Sequence, residues 1–169
     1  MTMTGNKKWK IGMTAVLIVL LFLIYVMIFN FSAEDATASS GVSQKVTKWL
    51  LHLYYKLQGN TGGLSVVIPA GEVDEAEAVI RKLAHFTEYM SVGLLSLWIW
   101  FLWNDKRLRC GAFVLVQLVI SASLDEFHQY FVPGRYASIR DVLIDTAGGL
   151  TGMLIVFLAS LCIRKSTKS

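Results

Sequence analysis

The uncharged run IGMTAVLIVLLFLIYVMIF at residues 11–29 decides the class of fold. As an α-helix it is roughly 28 Å long, which matches the hydrocarbon thickness of a bilayer. Three further apolar stretches follow, at about residues 83–103, 111–132 and 139–163, and each is long enough for one crossing. We therefore predict an all-α, four-helix transmembrane bundle whose first span is an uncleaved helix.

The composition of the chain agrees with this class. Of its 169 residues, 54% are hydrophobic and 17% are charged, which excludes a disordered chain, a collagen-like fibre and a large two-domain enzyme. Cys110 and Cys162 fall at span ends that we expect to face the reducing cytoplasm. Neither a disulfide nor a cysteine metal ligand is therefore predicted.

The net charge of +4 is concentrated in three short basic clusters beside the predicted spans, at residues 7–10, 106–109 and 164–168. With four spans, all three clusters lie on one side of the membrane, and the positive-inside rule makes that side cytoplasmic. We predict a multi-pass protein with both termini in the cytoplasm. Because orientation accounts for the basic residues, no nucleic-acid partner is predicted.

This topology divides the chain into a cytoplasmic N-terminus at residues 1–10, a membrane domain at residues 11–163 and a cytoplasmic tail at residues 164–169. Residues 30–82, between the first two spans, form an outer segment. The outer segment contains apolar residues at helical spacing, which predicts an extracytoplasmic amphipathic helix ended by Gly59 and Asn60. The apolar positions are Val42, Val46, Trp49, Leu50, Leu53, Tyr54 and Leu57.

Two interpretations of this outer helix remain open. It can act as a lid that lies on the outer leaflet or over the bundle, or it can simply cover one end of the bundle. The residues that follow are rich in glycine and predict a loop, with a short extended piece at residues 64–68.

Polar residues occur near the outer ends of three spans, where lipid normally excludes them. An unpaired charge at mid-bilayer costs from about 3 to above 10 kcal/mol, so such residues usually face the bundle interior and pair. Several of them recur at helical spacing and therefore share one helix face. The candidates are Lys82, His85, Glu88 and Tyr89 in span two, Asp125, Glu126 and Gln129 in span three, and Arg135, Arg140, Asp141 and Asp145 at the start of span four.

Small residues also follow a pattern in the last span. Gly148 and Gly152 form a Gly-x-x-x-Gly motif, which predicts close packing of this span against a neighbouring helix. Gln117, Ser121, Asp125 and Gln129 step by four along span three and predict one continuous polar stripe.

Three ordered motifs carry a resemblance to a known family. RKLAHFTEY at residues 81–89, SLDEFHQYFVPGR at residues 123–135 and DVLIDTAGG at residues 141–149 resemble the VanZ-like family, and the match covers roughly residues 20–160. The resemblance implies a bacterial multi-pass plasma-membrane protein. It also implies an effect on the response of the cell envelope to the glycopeptide teicoplanin, because the founding member is associated with resistance to it. The resemblance does not imply a defined reaction.

The chemistry is therefore argued from the residues. The first hypothesis is a site for an anionic envelope molecule: a lipid headgroup, a lipid-linked phosphate or a cell-wall precursor. Its binding residues are Lys82, Tyr89, Glu126, Gln129, Arg135, Arg140 and Asp141, with the arginines suited to bidentate contacts with phosphate or carboxylate. His85, Glu88, Asp125 and Asp145 are the candidate general acids and bases for hydrolysis or transfer at a phosphoryl or acyl centre.

Two other hypotheses stay open. No cofactor is expected, but a divalent metal is kept as an alternative, held by His85-x-x-Glu88 and Asp125-x-x-His128 and completed by Asp141 or Asp145. The other alternative is a non-catalytic scaffold, in which ion pairs such as Lys82–Glu88 or Arg135–Asp141 only order the helices. Convergence of many ionisable groups from three segments favours a functional site, with membrane lipids as partners and no prediction of oligomeric state.

Overall fold

The computed structural model describes residues 3–33, 36–58, 69–104 and 106–166. These ranges form five α-helices: α1 (Met3–Ala33), α2 (Ala36–Leu57), α3 (Ala70–Trp103), α4 (Arg107–Gln129) and α5 (Ile139–Ser166). The all-α prediction is thereby confirmed for the described part of the chain. The extended piece predicted at residues 64–68 lies outside the described residues.

Three of the described helices contain a stretch that is long and apolar enough to cross a membrane. These stretches are Lys7–Ala33, Arg107–Gln129 and Ile139–Cys162, with mean hydropathies of 2.9, 1.5 and 1.9. They correspond to the first, third and fourth predicted spans. Helix α3 covers the second predicted span. It is not in this group because a glutamate, two serines and three tryptophans lower the mean hydropathy of this span. These three helices support a membrane protein. That α3 also crosses the membrane stays a prediction.

Helix α3 is the centre of the bundle, and its largest interface is with α5. Glycines make this interface close: the backbone oxygens of Phe86 and Met90 in α3 lie where Gly148 and Gly152 of α5 would carry a Cβ atom. A side chain at either position would overlap with backbone, which cannot move aside cheaply. The predicted packing role of the Gly-x-x-x-Gly motif is confirmed.

The buried apolar core lies between α1, α3 and α4, beneath the polar ends of the helices. Its members include Ile28, Tyr89, Val92, Val114 and Leu118. The outward faces of α1, α4 and α5 carry many exposed large apolar side chains. Such a surface is typical of helices that face lipid rather than water.

The turn between α4 and α5 differs from the prediction. Helix α4 ends at Gln129 instead of continuing to about residue 132, because the following amides donate to carbonyls three residues back. The N–H of Phe131 donates to the oxygen of His128 at 3.0 Å, and that of Val132 donates to Gln129 at 3.0 Å. Gly134 then takes a φ of 76°, a conformation that favours glycine.

Helix α2 occupies the predicted amphipathic segment, but its apolar face is exposed. Trp49 is 64% exposed, and the same face presents Val46, Leu50, Leu53, Tyr54 and Leu57. On the side towards α3, the Tyr55 hydroxyl donates to Oε2 of Glu72 at 2.6 Å, and this bond raises the pKa of Tyr55. The apolar face of α2 therefore does not cover the end of the bundle.

Candidate functional site

A cavity of about 210 Å³ opens where the polar ends of α3, α4 and α5 meet. Its lining comes from these helices and from the turn between α4 and α5. The lining residues are Ala78, Arg81, Lys82, His85, Glu126, Gln129, Gly134, Arg135, Tyr136, Asp141, Ile144 and Asp145. The structure thus brings together the three segments whose polar residues stood out in the sequence.

An ion pair lies at the mouth of this cavity. Nζ of Lys82 in α3 is 2.9 Å from Oδ1 of Asp141 in α5. Lys82 and Glu88 point to different sides of α3, so Lys82 pairs across the helix interface instead of along its own helix. The pair between Lys82 and Asp141 was not one of the two that the sequence suggested.

The acid-histidine group, consisting of His85, Glu88, Asp125 and Asp145, lies at the base of the cavity and just below it. Nδ1 of His85 is 3.7 Å from Oε2 of Glu88 and 4.0 Å from Oδ2 of Asp125. One ligand atom each of His85, Asp125 and Asp145 lies within 4.8 Å of the others. Glu88, Asp125 and Asp145 are only 8%, 9% and 2% exposed. All four candidate acids and bases therefore occupy one buried region.

Gln129 connects this group to the rest of the bundle. Its amide nitrogen donates to Oδ2 of Asp125 at 3.0 Å and to the Ser32 hydroxyl of α1 at 3.4 Å. Its amide oxygen accepts from Arg135 at 3.4 Å, and Arg135 also donates to the backbone oxygen of Phe31 at 2.8 Å. These bonds tie the turn after α4 to the end of α1 and orient the Asp125 carboxylate.

Glu126 is buried and has a structural partner. Its Oε2 accepts the backbone N–H of Ser138 at 2.7 Å. The Ser138 carbonyl in turn accepts the N–H groups of Asp141 and Val142 at the start of α5, at 3.0 and 3.2 Å. Glu126 thereby links α4 to the first turn of α5, besides lining the cavity.

Glu88 and Asp125 lie just below the cavity and do not line it, and three further predicted residues lie outside it altogether. Tyr89 is 1% exposed and belongs to the apolar core. Arg140 is exposed, because its side chain is rotated by about 100° along the helix from the neighbouring Asp141 that faces the cavity. His128 packs edge-on against Phe29 of α1, with ring centroids 4.6 Å apart, and does not join His85, Asp125 and Asp145 in the group able to hold a metal.

Several cavity and interior residues were missed at the sequence level. Arg81 and Tyr136 line the cavity, and Arg81 is the first residue of the first quoted motif, so its position was a usable signal. Deeper in the bundle, the Gln117 amide donates to the Ser96 hydroxyl at 3.0 Å and to the Tyr25 hydroxyl at 3.2 Å. Gln117 belongs to the polar stripe of α4, whereas Ser96 and Tyr25 become its partners only through packing.

The arrangement combines two chemistries. Arginine and lysine side chains at the mouth suit phosphate or carboxylate oxygens. The imidazole and carboxylates at the base suit either proton transfer or a divalent metal, since both uses need clustered nitrogen and oxygen donors.

Apolar helices of membrane-spanning length, with an acid-histidine group buried at one end, define a helical membrane protein with an internal polar site. Within that class the match is specific: the VanZ/LLP1 family model covers residues 17–160, and the chain belongs to the VanZ/LLP1 family. The resemblance inferred from the three motifs is confirmed. No curated protein and no solved structure matches this chain significantly.

Proposed function

We propose that this protein is a multi-pass bacterial plasma-membrane protein that binds a phosphate-bearing envelope molecule in the cavity described above. In this proposal α3 crosses the membrane as the second of four spans, both termini are cytoplasmic and the cavity opens at the outer leaflet. Binding there alters the response of the envelope to teicoplanin. The family membership and the basic clusters at the opposite helix ends support this orientation.

The observation that carries the proposal is the set of cationic side chains around the cavity. Arg81, Lys82 and Arg135 line it together from α3 and from the turn before α5. Lys82 is already paired with Asp141, so the guanidinium groups of Arg81 and Arg135 are the charges that favour an anion with several oxygens. A cavity of about 210 Å³ accommodates a headgroup, so the acyl or polyprenyl chains of a lipid ligand would remain in the bilayer.

Helix α2 has a role in the same proposal. Its exposed apolar face, with Trp49 and Leu53 at its centre, suits insertion into the outer leaflet beside the cavity. The bond between Tyr55 and Glu72 would then hold the inserted helix against α3. A headgroup leaving the bilayer would reach the cavity along this helix.

Binding is the core of the proposal, and catalysis would be an addition to it. His85, Glu88, Asp125 and Asp145 lie below the cationic mouth, where they would act as general acid and base on a bound phosphoryl or acyl centre. The chemistry would be hydrolysis or group transfer. Turnover would require these four residues, whereas binding of the anion would require mainly the cationic side chains at the mouth of the cavity.

The first prediction concerns the charge of Arg81. No described residue forms an ion pair with Arg81, so Arg81→Gln removes a ligand-binding charge with little structural cost. We expect the affinity of the purified protein for a short-chain polyprenyl phosphate to fall about tenfold, as for loss of one charge-assisted bond. Parallel titrations with phosphatidylglycerol and with inorganic phosphate identify which source of phosphate binds.

The matched control is Arg140→Gln, which removes the same charge from an exposed position outside the cavity. It should leave the affinity unchanged and, in cells, leave the teicoplanin susceptibility at the wild-type value. Equal affinities for the two variants and the wild type would contradict the proposed phosphate site.

A second candidate function is a non-catalytic scaffold. The bonds of Lys82 with Asp141, of Glu126 with Ser138 and of Arg135 with Phe31 each link different helices or turns. These contacts favour a purely structural use of the charges. The scaffold is preferred if the Arg81→Gln protein folds normally, supports the full teicoplanin phenotype and binds phosphate ligands as the wild type does.

A further inference from the structure

We propose that His85, Asp125 and Asp145 form a binding site for one divalent first-row metal ion, Zn²⁺ or Mn²⁺, at the base of the cavity, with Glu88 as an additional carboxylate beside it. The inference goes beyond the proposed phosphate site, because it concerns residues below the cationic mouth and requires no anionic ligand.

The first observation in favour of a metal site is the short distance between the donor atoms. His85, Asp125 and Asp145 come from α3, α4 and α5, and one ligand atom of each lies within 4.8 Å of the other two. In a tetrahedral site with ligand distances of about 2.1 Å, the ligand atoms lie about 3.4 Å from one another. Because the three atoms are within 4.8 Å of one another, side-chain movements of up to roughly 1 Å would bring them to coordination distance.

Unsatisfied buried atoms provide an independent second observation. Nδ1 of His85 and Oε2 of Glu88 are buried and have no hydrogen-bond partner, and Glu88 is only 8% exposed. The 3.7 Å between these two atoms is too long for a hydrogen bond. A buried polar atom without a partner is costly, and a cation between the imidazole and the carboxylates satisfies both atoms together.

The charge of the surrounding side chains also favours a bound cation. Glu88, Asp125 and Asp145 place three carboxylates around one imidazole in a region removed from water. Lys82, at the mouth, is committed to Asp141. A divalent ion offsets the mutual repulsion of the carboxylates at the point where they converge.

The donor set selects the kind of metal. An imidazole nitrogen with carboxylate oxygens suits Zn²⁺ or Mn²⁺, whereas Ca²⁺ and Mg²⁺ favour sites made entirely of oxygen. Gln129 already donates to Oδ2 of Asp125 at 3.0 Å, which is the kind of outer contact that orients a metal-binding carboxylate. Three protein ligands leave a coordination position open towards the cavity.

The test measures metal directly on the full chain. Protein purified in a neutral detergent is stripped with a chelator, reloaded with Zn²⁺ or Mn²⁺, desalted and analysed by mass spectrometry for metal content. We expect about one ion per wild-type chain, and at least about tenfold weaker binding for His85→Asn and Asp145→Asn. Asp74→Asn, which removes an exposed carboxylate earlier in α3 and outside the cavity, is the matched control and should retain the metal.

Two results would overturn the proposal: wild-type protein that takes up neither ion, or metal retained equally by wild type, His85→Asn and Asp145→Asn. Because the variants can fail to fold, thermal unfolding of the wild type is compared with and without metal. A rise of several degrees is expected, and an unchanged melting temperature in saturating Zn²⁺ and Mn²⁺ would also contradict the site. Phosphate titrations of Arg81→Gln in the presence of chelator keep the two proposals separately testable.

Discussion

His85, Asp125 and Asp145 converge at the base of the cavity, and each belongs to a different helix. Helical spacing predicts that each residue shares a face with its polar neighbours on its own helix. Spacing contains no information about distances between helices. The scaffold alternative named Lys82–Glu88 as one possible ion pair, whereas in the folded chain Lys82 pairs with Asp141 of α5.

Glu126 shows how a candidate ligand residue also serves the fold. Glu126→Ala would leave the partly buried N–H of Ser138 without its acceptor and would loosen the start of α5. We expect a loss of about 2 kcal/mol in the free energy of unfolding, or roughly 4–8 °C in melting temperature. Thermal unfolding in detergent, followed by intrinsic fluorescence, measures this loss.

The control for Glu126→Ala is Glu75→Ala, an exposed glutamate earlier in α3. It should unfold within about a degree of the wild type, as surface substitutions usually do. Equal melting temperatures for both variants would show that the bond to Ser138 contributes nothing measurable.

At the scale of elements, the contact between α3 and α5 determines whether the cavity exists. The Gly-x-x-x-Gly pattern of α5 indicated a close helix contact, but it did not identify α3 as the partner. Close approach of these two helices brings Lys82 to Asp141 and His85 to Asp145. If α3 and α5 lay further apart, Lys82 and His85 would be separated from Asp141 and Asp145.

Gly152→Ala tests this contact. Its new Cβ would overlap with the backbone oxygen of Met90, so α3 and α5 would have to separate. We expect a loss of at least about 2 kcal/mol in stability, measured by thermal unfolding, as for an overpacked core position.

Gly111→Ala is the matched control, because its Cβ would meet only Cε of Met153 at an ordinary 3.8 Å. This glycine lies within α4, so alanine should leave stability unchanged or raise it by up to about 1 kcal/mol through helix propensity. An equal response of the two variants would refute the role assigned to Gly152.

At the scale of the whole molecule, the open prediction is that α3 crosses the membrane. Single cysteines at the exposed positions Lys56 and Lys106, in a Cys110→Ala, Cys162→Ala background, lie before and after α3. With four spans, a membrane-impermeant maleimide should label Lys56→Cys in intact protoplasts and Lys106→Cys only after lysis. Labelling of both positions from the same side would show that α3 does not cross.

Amino-acid pattern alone establishes the helical membrane class, the segments rich in polar residues and the family. These properties depend on local hydropathy, on helical period and on ordered motifs such as RKLAHFTEY at residues 81–89, all of which are readable along the chain. The amphipathic character of α2 was equally readable, although the direction of its apolar face was not.

Tertiary packing decides which polar residues form the site. It excludes Arg140 and Tyr89 from the cavity, turns His128 towards Phe29 and adds Arg81 and Tyr136 to the lining. The physical reason is that a helical period places a side chain on a face but does not specify what that face meets. In this protein the glycines of α5 determine that its polar face packs against α3, because they let α5 approach the backbone of α3.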